Sequence, residues 1–197
     1  MFIRKKILQE PEQLNIFFAK NWMQLLSGRW RSLGAFNRGV IVAAGMVSFS
    51  LSVSLYFYVK QQYELRDIKC LAMNVYHEAR GEPTLGQYAV AIVTMNRVSS
   101  RYYPDDVCRV VYQSAWSSTN RRQIAAFSWT LDALEDIPQN SDAWGKAFNI
   151  ATAVYQEEHA GSDKIKDALF YHADYVKPRW ASKKTKIAKI GRHIFYK

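Results

Sequence analysis

The pattern of hydrophobic and polar positions predicts helices over most of the first part of this chain. Residues 39–59 form an uninterrupted apolar run without an ionisable side chain. After this run, apolar residues recur every three or four positions, and Gly, Pro and Asp residues mark where each repeat stops or starts. This spacing predicts four further helices, over residues 65–79, 84–98, 107–111 and 141–158.

The period changes towards the C-terminus. Short runs of apolar and aromatic residues predict strands over residues 168–172, 186–190 and 193–196. Gly191 and Arg192 are a candidate turn between the last two runs. Residues 114–140 show neither period, and we expect loops with short turns there. Helices followed by a small antiparallel sheet indicate an α+β domain over residues 60–197.

The apolar run at 39–59 is long enough to cross a membrane. A helix of its 21 residues rises about 31 Å, close to the hydrocarbon thickness of a bilayer. Arg29, Arg31 and Arg38 precede it, so the positive-inside rule predicts a cytoplasmic N-terminus. A buried core helix would show a polar face, and a cleaved signal peptide would show a small-residue cleavage site. We therefore expect an inner-membrane anchor, with residues 60–197 in the periplasm or extracytoplasmic space.

Basic residues outnumber acidic ones along the chain. There are 27 Lys and Arg against 17 Asp and Glu, and the 49% hydrophobic content excludes a disordered chain. Residues 1–38 predict a basic amphipathic helix that lies on the membrane or binds an envelope protein. Residues 177–197 carry eight basic residues and no acidic one, which favours an anionic polymer as partner. Because the domain is predicted to be exported, peptidoglycan suits this tail better than nucleic acid.

The chain has two cysteines, Cys70 and Cys108, both in the predicted exported domain. A single pair in an oxidising compartment is typical of a disulfide, although two buried thiols also fit the sequence. Neither cysteine belongs to a CxxC pair, so the sequence offers no zinc site of that kind.

A cluster of charged residues ends the first predicted helix of the domain. Glu78 and Glu82 are four residues apart with Arg80 between them, and paired carboxylates can perform acid–base chemistry when one is held neutral. A solvated salt bridge at a helix end is the alternative. His77 and Glu78 begin an HExxH zinc motif, but Gly81 stands where the second His is needed. We therefore expect no metal and no cofactor.

Several aromatic residues fall in or beside predicted loops and strand ends. Flat rings at such places can stack on sugar rings or belong to the core, and both interpretations stay open for each residue. These residues are Trp116, Phe127, Trp129, Tyr171, Trp180 and Tyr196.

Motifs that follow one another along the chain carry a resemblance to a known family. They are the two cysteines, YHEARGEP at 76–83, NRV at 96–98, FYH at 170–172 and IGRHIFY at 190–196. This pattern resembles the SleB-type cell wall hydrolase family over residues 68–197. The resemblance implies a lysozyme-like α+β fold and a peptidoglycan-cleaving glycosidase or lytic transglycosylase. The first Glu of EARGE, Glu78 here, is then the catalytic acid.

The resemblance implies that Glu78 protonates the bond between N-acetylmuramic acid and N-acetylglucosamine. In a lytic transglycosylase the same carboxylate then takes the proton of the muramic C6 hydroxyl, whereas a hydrolase needs a second carboxylate. Glu82 and Asp132 are the candidates for that second group. We favour the route with one carboxylate, because Glu82 is expected to be structural. It would pair with Arg80 or accept backbone N–H groups near Pro83.

Six residues are predicted to bind the substrate. Two amides among them would hydrogen-bond acetamido groups, although buried polar side chains between helices fit them equally. Tyr171 and His172 would hold the substrate or orient Glu78. The set is Gln87, Asn96, Phe127, Tyr171, His172 and Trp180.

The sequence departs from the family pattern at one place. Relatives with the same cysteine pair often carry a second pair around a Cys-Gln-Phe-Ser block. Here Ala125 and Leu131 stand at the cysteine positions and Ala126 replaces the Gln. Loss of both partners supports a disulfide between the two remaining cysteines, and it leaves open whether residues 120–132 contact substrate.

Two other classes of function compete with the enzyme. A membrane-tethered module could hold peptidoglycan, or scaffold an envelope complex, without cutting it. A basic nucleic-acid binder is disfavoured by the predicted compartment. Retention of Glu78 in its motif favours the enzyme over both.

Overall fold

The computed structural model describes six parts of the chain, residues 27–28, 30–31, 33–118, 121–131, 137–156 and 165–197. The chain divides into two units between Val59 and Lys60. Most of the predicted amphipathic helix within 1–38 lies outside the described residues, as does Asp132. The amphipathic helix therefore stays a prediction.

Helix α1, Ala35–Ala79, contains 45 residues. Its most apolar stretch is exposed, and within the described parts of the chain α1 is the one helix long and apolar enough to cross a membrane by length and composition. The sequence predicts the run at 39–59 and the helix at 65–79 separately, whereas the structure joins them. The reason is that residues 60–64 contain neither Gly nor Pro to end a helix.

Three further helices of the second unit confirm the predicted helical spacing. They are α2, Thr84–Val98, α3, Val107–Val111, and α4, Ser141–Tyr155. The side chain of Asp106 accepts a hydrogen bond from the backbone at the start of α3, and Asn140 does the same for α4. These side chains satisfy N–H groups that a helix start leaves without partners.

Apolar side chains from the helices and the C-terminal strand meet in one core. Leu71 and Val75 of α1, Val93 of α2, Ala151 of α4 and Phe195 near the C-terminus are all 0% exposed. Full burial of a Leu, Val or Phe side chain stabilises a fold by roughly 1.5–3 kcal/mol. The core therefore holds the last turns of α1 firmly against α2 and α4.

A polar contact crosses this core. Asn74 of α1 donates to Thr94 Oγ1 of α2 at 3.0 Å and accepts from Trp129 Nε1 at 3.2 Å. Thr94 in turn donates to a backbone carbonyl of its own helix. Because each of these buried polar groups has a partner, the network fixes the position of Trp129 without a desolvation penalty.

The segment 114–140 is not only loop, and this part of the prediction is wrong. It contains strands β1, Ser114–Ser117, and β2, Arg122–Ala125, followed by a 3₁₀-helix, Ser128–Leu131. The two strands pair antiparallel as a hairpin, with Trp116 opposite Gln123. Each strand has four residues that are mostly exposed, so no alternation of apolar and polar residues marks it in the sequence.

A three-stranded antiparallel sheet confirms the predicted C-terminal strands. Its strands are β3, Phe170–Ala173, β4, Lys186–Ile190, and β5, His193–Tyr196, and β5 lies between the other two. Tyr171 of β3 stands opposite Phe195 of β5. The architecture is therefore α+β, as the order of helices and strands predicts.

A disulfide joins Cys70 of α1 to Cys108 of α3, with the Cα atoms 5.2 Å apart. The two residues are separated by 38 positions in the sequence. The bond ties the short helix α3 to the part of α1 that enters the core.

Replacing both cysteines by serine is expected to lower the free energy of unfolding by about 2–4 kcal/mol, because the cross-link no longer restricts the unfolded chain. Thermal unfolding of the full chain in detergent measures this change. A reducing agent is expected to lower the Tm of the native chain to that of the variant and to leave the variant unchanged. Equal Tm values for native chain and variant under oxidising conditions would contradict the prediction.

Candidate active site

Glu78 lies in the last turn of α1, at the wall of a cleft. Gly81 and Pro83 follow this turn, and the helix ends at Ala79. The cleft has a volume of about 570 Å³. Its lining consists of Glu78, Arg97, residues 122–128, Leu131 and Tyr171. Four elements distant in sequence, α1, α2, β2 with the 3₁₀-helix that follows it, and β3, therefore surround one carboxylate.

Tyr171 holds the carboxylate of Glu78. Its hydroxyl donates to Glu78 Oε2 at 3.1 Å. The ring of Tyr171 packs against Phe195 and His193 of β5, with centroids 5.7 Å and 5.1 Å away. Burial, followed by the charge of Glu78, raises the pKa of Tyr171 well above its ordinary value, so the phenol keeps its proton. Tyr171 is thus a fixed donor to Glu78.

The surroundings raise the pKa of Glu78. Burial is the main cause, because it penalises the charged carboxylate. The hydrogen bond from Tyr171 and the charge of Arg97 act in the opposite direction and are smaller effects. Glu78 therefore keeps its proton to a higher pH than an ordinary glutamate, and it has a donor that stabilises the anion once the proton leaves.

Arg97 also lines the cleft, although the sequence motifs did not predict it as a site residue. Its Nε donates to the carbonyl of Leu169 at 2.9 Å. Its guanidinium lies over the ring of Phe127 at 5.0 Å and over that of Tyr103 at 5.5 Å. These contacts fix a positive charge in the wall of the cleft. The signal in the sequence was the NRV motif, in which a charged residue falls on the buried side of α2.

Phe127 lines the cleft, and so does strand β2 of the hairpin. Phe127 is 3% exposed, so its ring forms the floor beneath Arg97 rather than an open stacking surface. Whether residues 120–132 face substrate was open from the sequence. The structure places 122–128 and Leu131 beside Glu78.

The two predicted substrate-binding amides have internal partners instead. Gln87 is buried and donates to the carbonyl of Glu82 at 2.9 Å. Asn96 donates to the carbonyls of Ile165 and Ala168 at 3.1 Å and 3.0 Å. Neither residue lines the cleft of Glu78. These contacts favour the alternative of buried polar side chains between helices, since the main chain already accepts from both N–H donors of Asn96.

His172 and Trp180 also lie away from the cleft. Successive side chains of β3 point to opposite faces, so His172 turns away from the side where Tyr171 meets Glu78. His172 Nε2 is 2.9 Å from the Tyr196 hydroxyl. Trp180 packs against His172 and Tyr196 with centroids 5.5 Å away in each case. The structure therefore assigns both rings to an aromatic cluster on the outer face of the sheet.

Glu82 pairs with Arg192 rather than with Arg80. Its Oε2 accepts the backbone N–H of Arg192 and its Oε1 accepts Nε of the same residue, both at 2.8 Å. These bonds outweigh the cost of burial and lower the pKa of Glu82. Arg80 instead lies over the ring of Tyr76 at 4.9 Å. Of the two expectations for Glu82, pairing with Arg80 was wrong. Glu82 does accept a backbone N–H, and its donor is Arg192, 110 residues later, which β5 brings to the same turn.

Glu78 is the one carboxylate among the described residues that line the cleft. The remaining cluster of potential metal ligands in the described parts of the chain is Asp67, Asp106 and Cys108. Cys108 is bound in the disulfide, and both aspartates pair with Arg66. The potential ligand groups of that cluster are therefore already bound to other protein groups.

Comparisons with known proteins show relatives of this chain. The family model described as cell wall hydrolase matches residues 81–196. The spore cortex-lytic enzyme of Bacillus cereus is 33% identical over 71% of this chain and 47% of its own length. The corresponding enzyme of Oceanobacillus iheyensis is also 33% identical, over 71% of this chain and 44% of its own. The chain thus spans about half the length of the curated relatives it matches.

A solved structure shares the fold. It is the catalytic domain of the germination-specific lytic transglycosylase SleB from Bacillus anthracis, 33% identical in sequence with a TM-score of 0.50. The match covers 66% of this chain and 93% of that one. Most of that catalytic domain therefore has a counterpart here.

Proposed function

The chain belongs to the cell wall hydrolase family, and on this premise we propose that it cleaves the glycan strand of peptidoglycan as a membrane-anchored lytic transglycosylase. The bond cut is the one between N-acetylmuramic acid and N-acetylglucosamine. The proposal depends on the surroundings of Glu78. Its half-buried carboxyl has a raised pKa, accepts a hydrogen bond from the Tyr171 hydroxyl and lies in the wall of a cleft.

Glu78 acts first as an acid and then as a base. In its neutral form it gives its proton to the glycosidic oxygen, and the bond from that oxygen to C1 of the muramic residue breaks. The resulting carboxylate, stabilised by the Tyr171 hydroxyl, takes the proton of the muramic C6 hydroxyl. The C6 oxygen bonds to C1 and closes a 1,6-anhydro ring. Glu78 ends the cycle protonated, so no external base is consumed.

The described lining supports this route, because it supplies one carboxylate, Glu78, and the candidate Asp132 lies outside the described residues. A glycosidase that uses water needs a second carboxyl group about 5–9.5 Å from the first, as nucleophile or base. Glu82 cannot take that role, since both of its oxygens are bound to Arg192. An internal hydroxyl as nucleophile removes the need for such a group.

Product analysis tests the proposal. The full chain in detergent is incubated with peptidoglycan sacculi, and the soluble products are examined by mass spectrometry. Anhydro-muropeptides are expected. Products with reducing muramic ends would mean hydrolysis, and sacculi that are bound without release of products would identify a non-cutting binding module.

Removing the Tyr171 hydroxyl is expected to shift the pH dependence of the reaction. The hydrogen bond from Tyr171 stabilises the Glu78 anion and so lowers its pKa. Tyr171→Phe therefore raises that pKa further, and the alkaline limb of kcat/KM moves to higher pH. A pH–rate profile of the variant measures this. Tyr102→Phe, an exposed tyrosine outside the cleft, is the matched control and is expected to leave the limb in place. A limb that moves to lower pH, or not at all, would contradict Tyr171 as the residue that positions Glu78.

Membrane anchoring through residues 39–59 is part of the proposal. Support comes from the exposed apolar stretch of α1 and from the basic residues before it. The disulfide also fits an oxidising compartment for residues 60–197. When the chain is produced in a bacterial host, protease added to spheroplasts is expected to digest residues 60–197 and to spare an N-terminal tag. Protection of residues 60–197 would overturn the orientation.

A further inference from the structure

Strand β2 has a free edge that faces the cleft. In the described parts of the chain β2 pairs with β1 alone. The consecutive residues 122–126 all line the cleft of Glu78. Because successive side chains of a strand point to opposite faces, an unbroken run of residues can line a cavity only along the edge of the strand. The main chain of β2 is therefore part of the wall.

The register shows which main-chain groups point into the cleft. The N–H of Ala126 donates to the carbonyl of Gln113 at 2.7 Å, so these two residues form a hydrogen-bonded pair. Hydrogen-bonded and non-hydrogen-bonded pairs alternate along an antiparallel ladder. With Ile124 opposite Ala115, the N–H and C=O groups of Gln123 and Ala125 point away from β1. The free edge thus offers two donors and two acceptors, repeating every second residue.

An extended peptide has the same two-residue repeat of donors and acceptors, and it binds free strand edges by adding a strand. An acetamido group offers only one donor and one acceptor, so it would match half of this edge. Peptidoglycan carries a short peptide on the lactyl group of each muramic residue, next to the bond that Glu78 would cleave. Arg122 lies on the same strand in the cleft wall and has the charge that complements the carboxylates of such a peptide.

We propose that the free edge of β2, through the main chain of Gln123 and Ala125, binds the stem peptide of peptidoglycan as an added strand. The substrate is then glycan whose muramic residues carry peptides, and bare glycan strands are cleaved poorly. This inference rests on the proposed function, because it uses the position of the scissile bond at Glu78.

Two substrates and two proline variants test this subsite. The full chain in detergent is assayed on soluble glycan strands with their peptides and on the same strands stripped by an amidase. The kcat/KM of the native chain is expected to be about tenfold or more lower on stripped strands. Ala125→Pro removes one outward N–H without touching the β1–β2 ladder. It is expected to lower kcat/KM about 3- to 10-fold on peptide-bearing strands, as for one hydrogen bond, and by a smaller factor on stripped strands.

Ser114→Pro is the matched control, since Ser114 stands opposite Ala125 but on the outer edge of β1. It is compared with Ser114→Ala, because both variants lose the hydroxyl that accepts from Gln123 Nε2 at 3.3 Å. Ser114→Pro is expected to leave kcat/KM unchanged on both peptide-bearing and stripped strands. Equal rates of the native chain on the two substrates would overturn the proposal. An Ala125→Pro variant that loses activity equally on both would do the same, because it would show a structural effect.

Binding by the Glu78→Gln chain separates this inference from the proposed function. Weaker binding to stripped strands than to peptide-bearing strands supports the subsite even if no cleavage is found, and equal binding overturns it. Failure of the native chain to release products from either substrate would reject the proposed function alone.

Discussion

Glu78→Gln is expected to abolish release of anhydro-muropeptides, with kcat lowered by about 10²–10⁴-fold, the usual contribution of a general acid. The variant keeps the shape of the side chain, and the Gln carbonyl can still accept from the Tyr171 hydroxyl. It has no proton to give to the glycosidic oxygen and cannot become a base. Mass spectrometry of products from sacculi, with single-turnover rates, measures the loss.

Glu82→Gln is the matched control for this prediction. Glu82 is four residues later in the same motif, but its oxygens are bound to Arg192 outside the cleft. A Gln at this position can still accept one of these hydrogen bonds, so cleavage is expected to change little. Loss of activity comparable to that of Glu78→Gln would show that the reaction needs two carboxylates.

The native enzyme is also expected to lose activity as pH rises through the raised pKa of Glu78, since only the protonated form is an acid. A pH profile of kcat/KM that stays flat from acid to alkaline conditions would contradict general-acid catalysis by this residue.

Gly191→Ala is expected to lower the free energy of unfolding by about 2–4 kcal/mol. Gly191 has φ +56°, a left-handed conformation that costs roughly 1–2 kcal/mol with a side chain. A Cβ there would lie 2.2 Å from Glu82 Oε2 and 3.0 Å from Pro83 Cδ. Glu82 must then move away from Arg192, which weakens the hydrogen bonds between these two residues. Thermal and urea unfolding of the full chain measure the loss.

Gly145→Ala is the control for this variant. Gly145 lies in α4 and has nothing within 4 Å of an added Cβ, so the variant is expected to be as stable as the native chain or up to about 1 kcal/mol more stable. Equal Tm values for Gly191→Ala and the native chain would show that the turn is not constrained by Glu82.

The contribution of Glu82 also depends on pH. Its pKa is lowered in the folded state from an ordinary value of 4.5, so the stability it supplies is present above that pH and is lost as pH falls through the lowered pKa. The difference in the free energy of unfolding between the native chain and Gly191→Ala is therefore expected to become smaller below pH 4.5. A difference that widens in acid would contradict the role of Glu82.

Local patterns predicted most of the helices because their cause is local. Apolar residues at every third or fourth position bury one face of a helix, and Gly or Pro ends it, so α2 and the end of α1 could be placed within a few residues. A different local pattern, short runs of apolar and aromatic residues, predicted the three C-terminal strands. Neither pattern marks β1 and β2, whose residues are mostly exposed and show no alternation of apolar and polar residues.

The polar residues of the motifs could not be assigned in this way. Gln87, Asn96 and His172 lie in or beside motifs of the family, and from the sequence each could face substrate or interior. Their hydrogen-bond partners are the carbonyl of Glu82, main-chain carbonyls at 165 and 168, and the Tyr196 hydroxyl. Asn96 and its partner Ala168 are 72 residues apart, and His172 and Tyr196 are 24 apart. These pairs form only because the packing of the fold brings the segments together.

The sequence by itself determined the family, the α+β class, the apolar run at 39–59 and Glu78 as the candidate acid, because short motifs and periodic patterns carry that information. Tertiary structure decided that Tyr171 and Arg97 join Glu78, that Glu82 binds Arg192, and that the free edge of β2 lines the cleft. These contacts connect segments far apart in the chain. Their geometry follows from how the helices and the two sheets pack, and no local pattern encodes it.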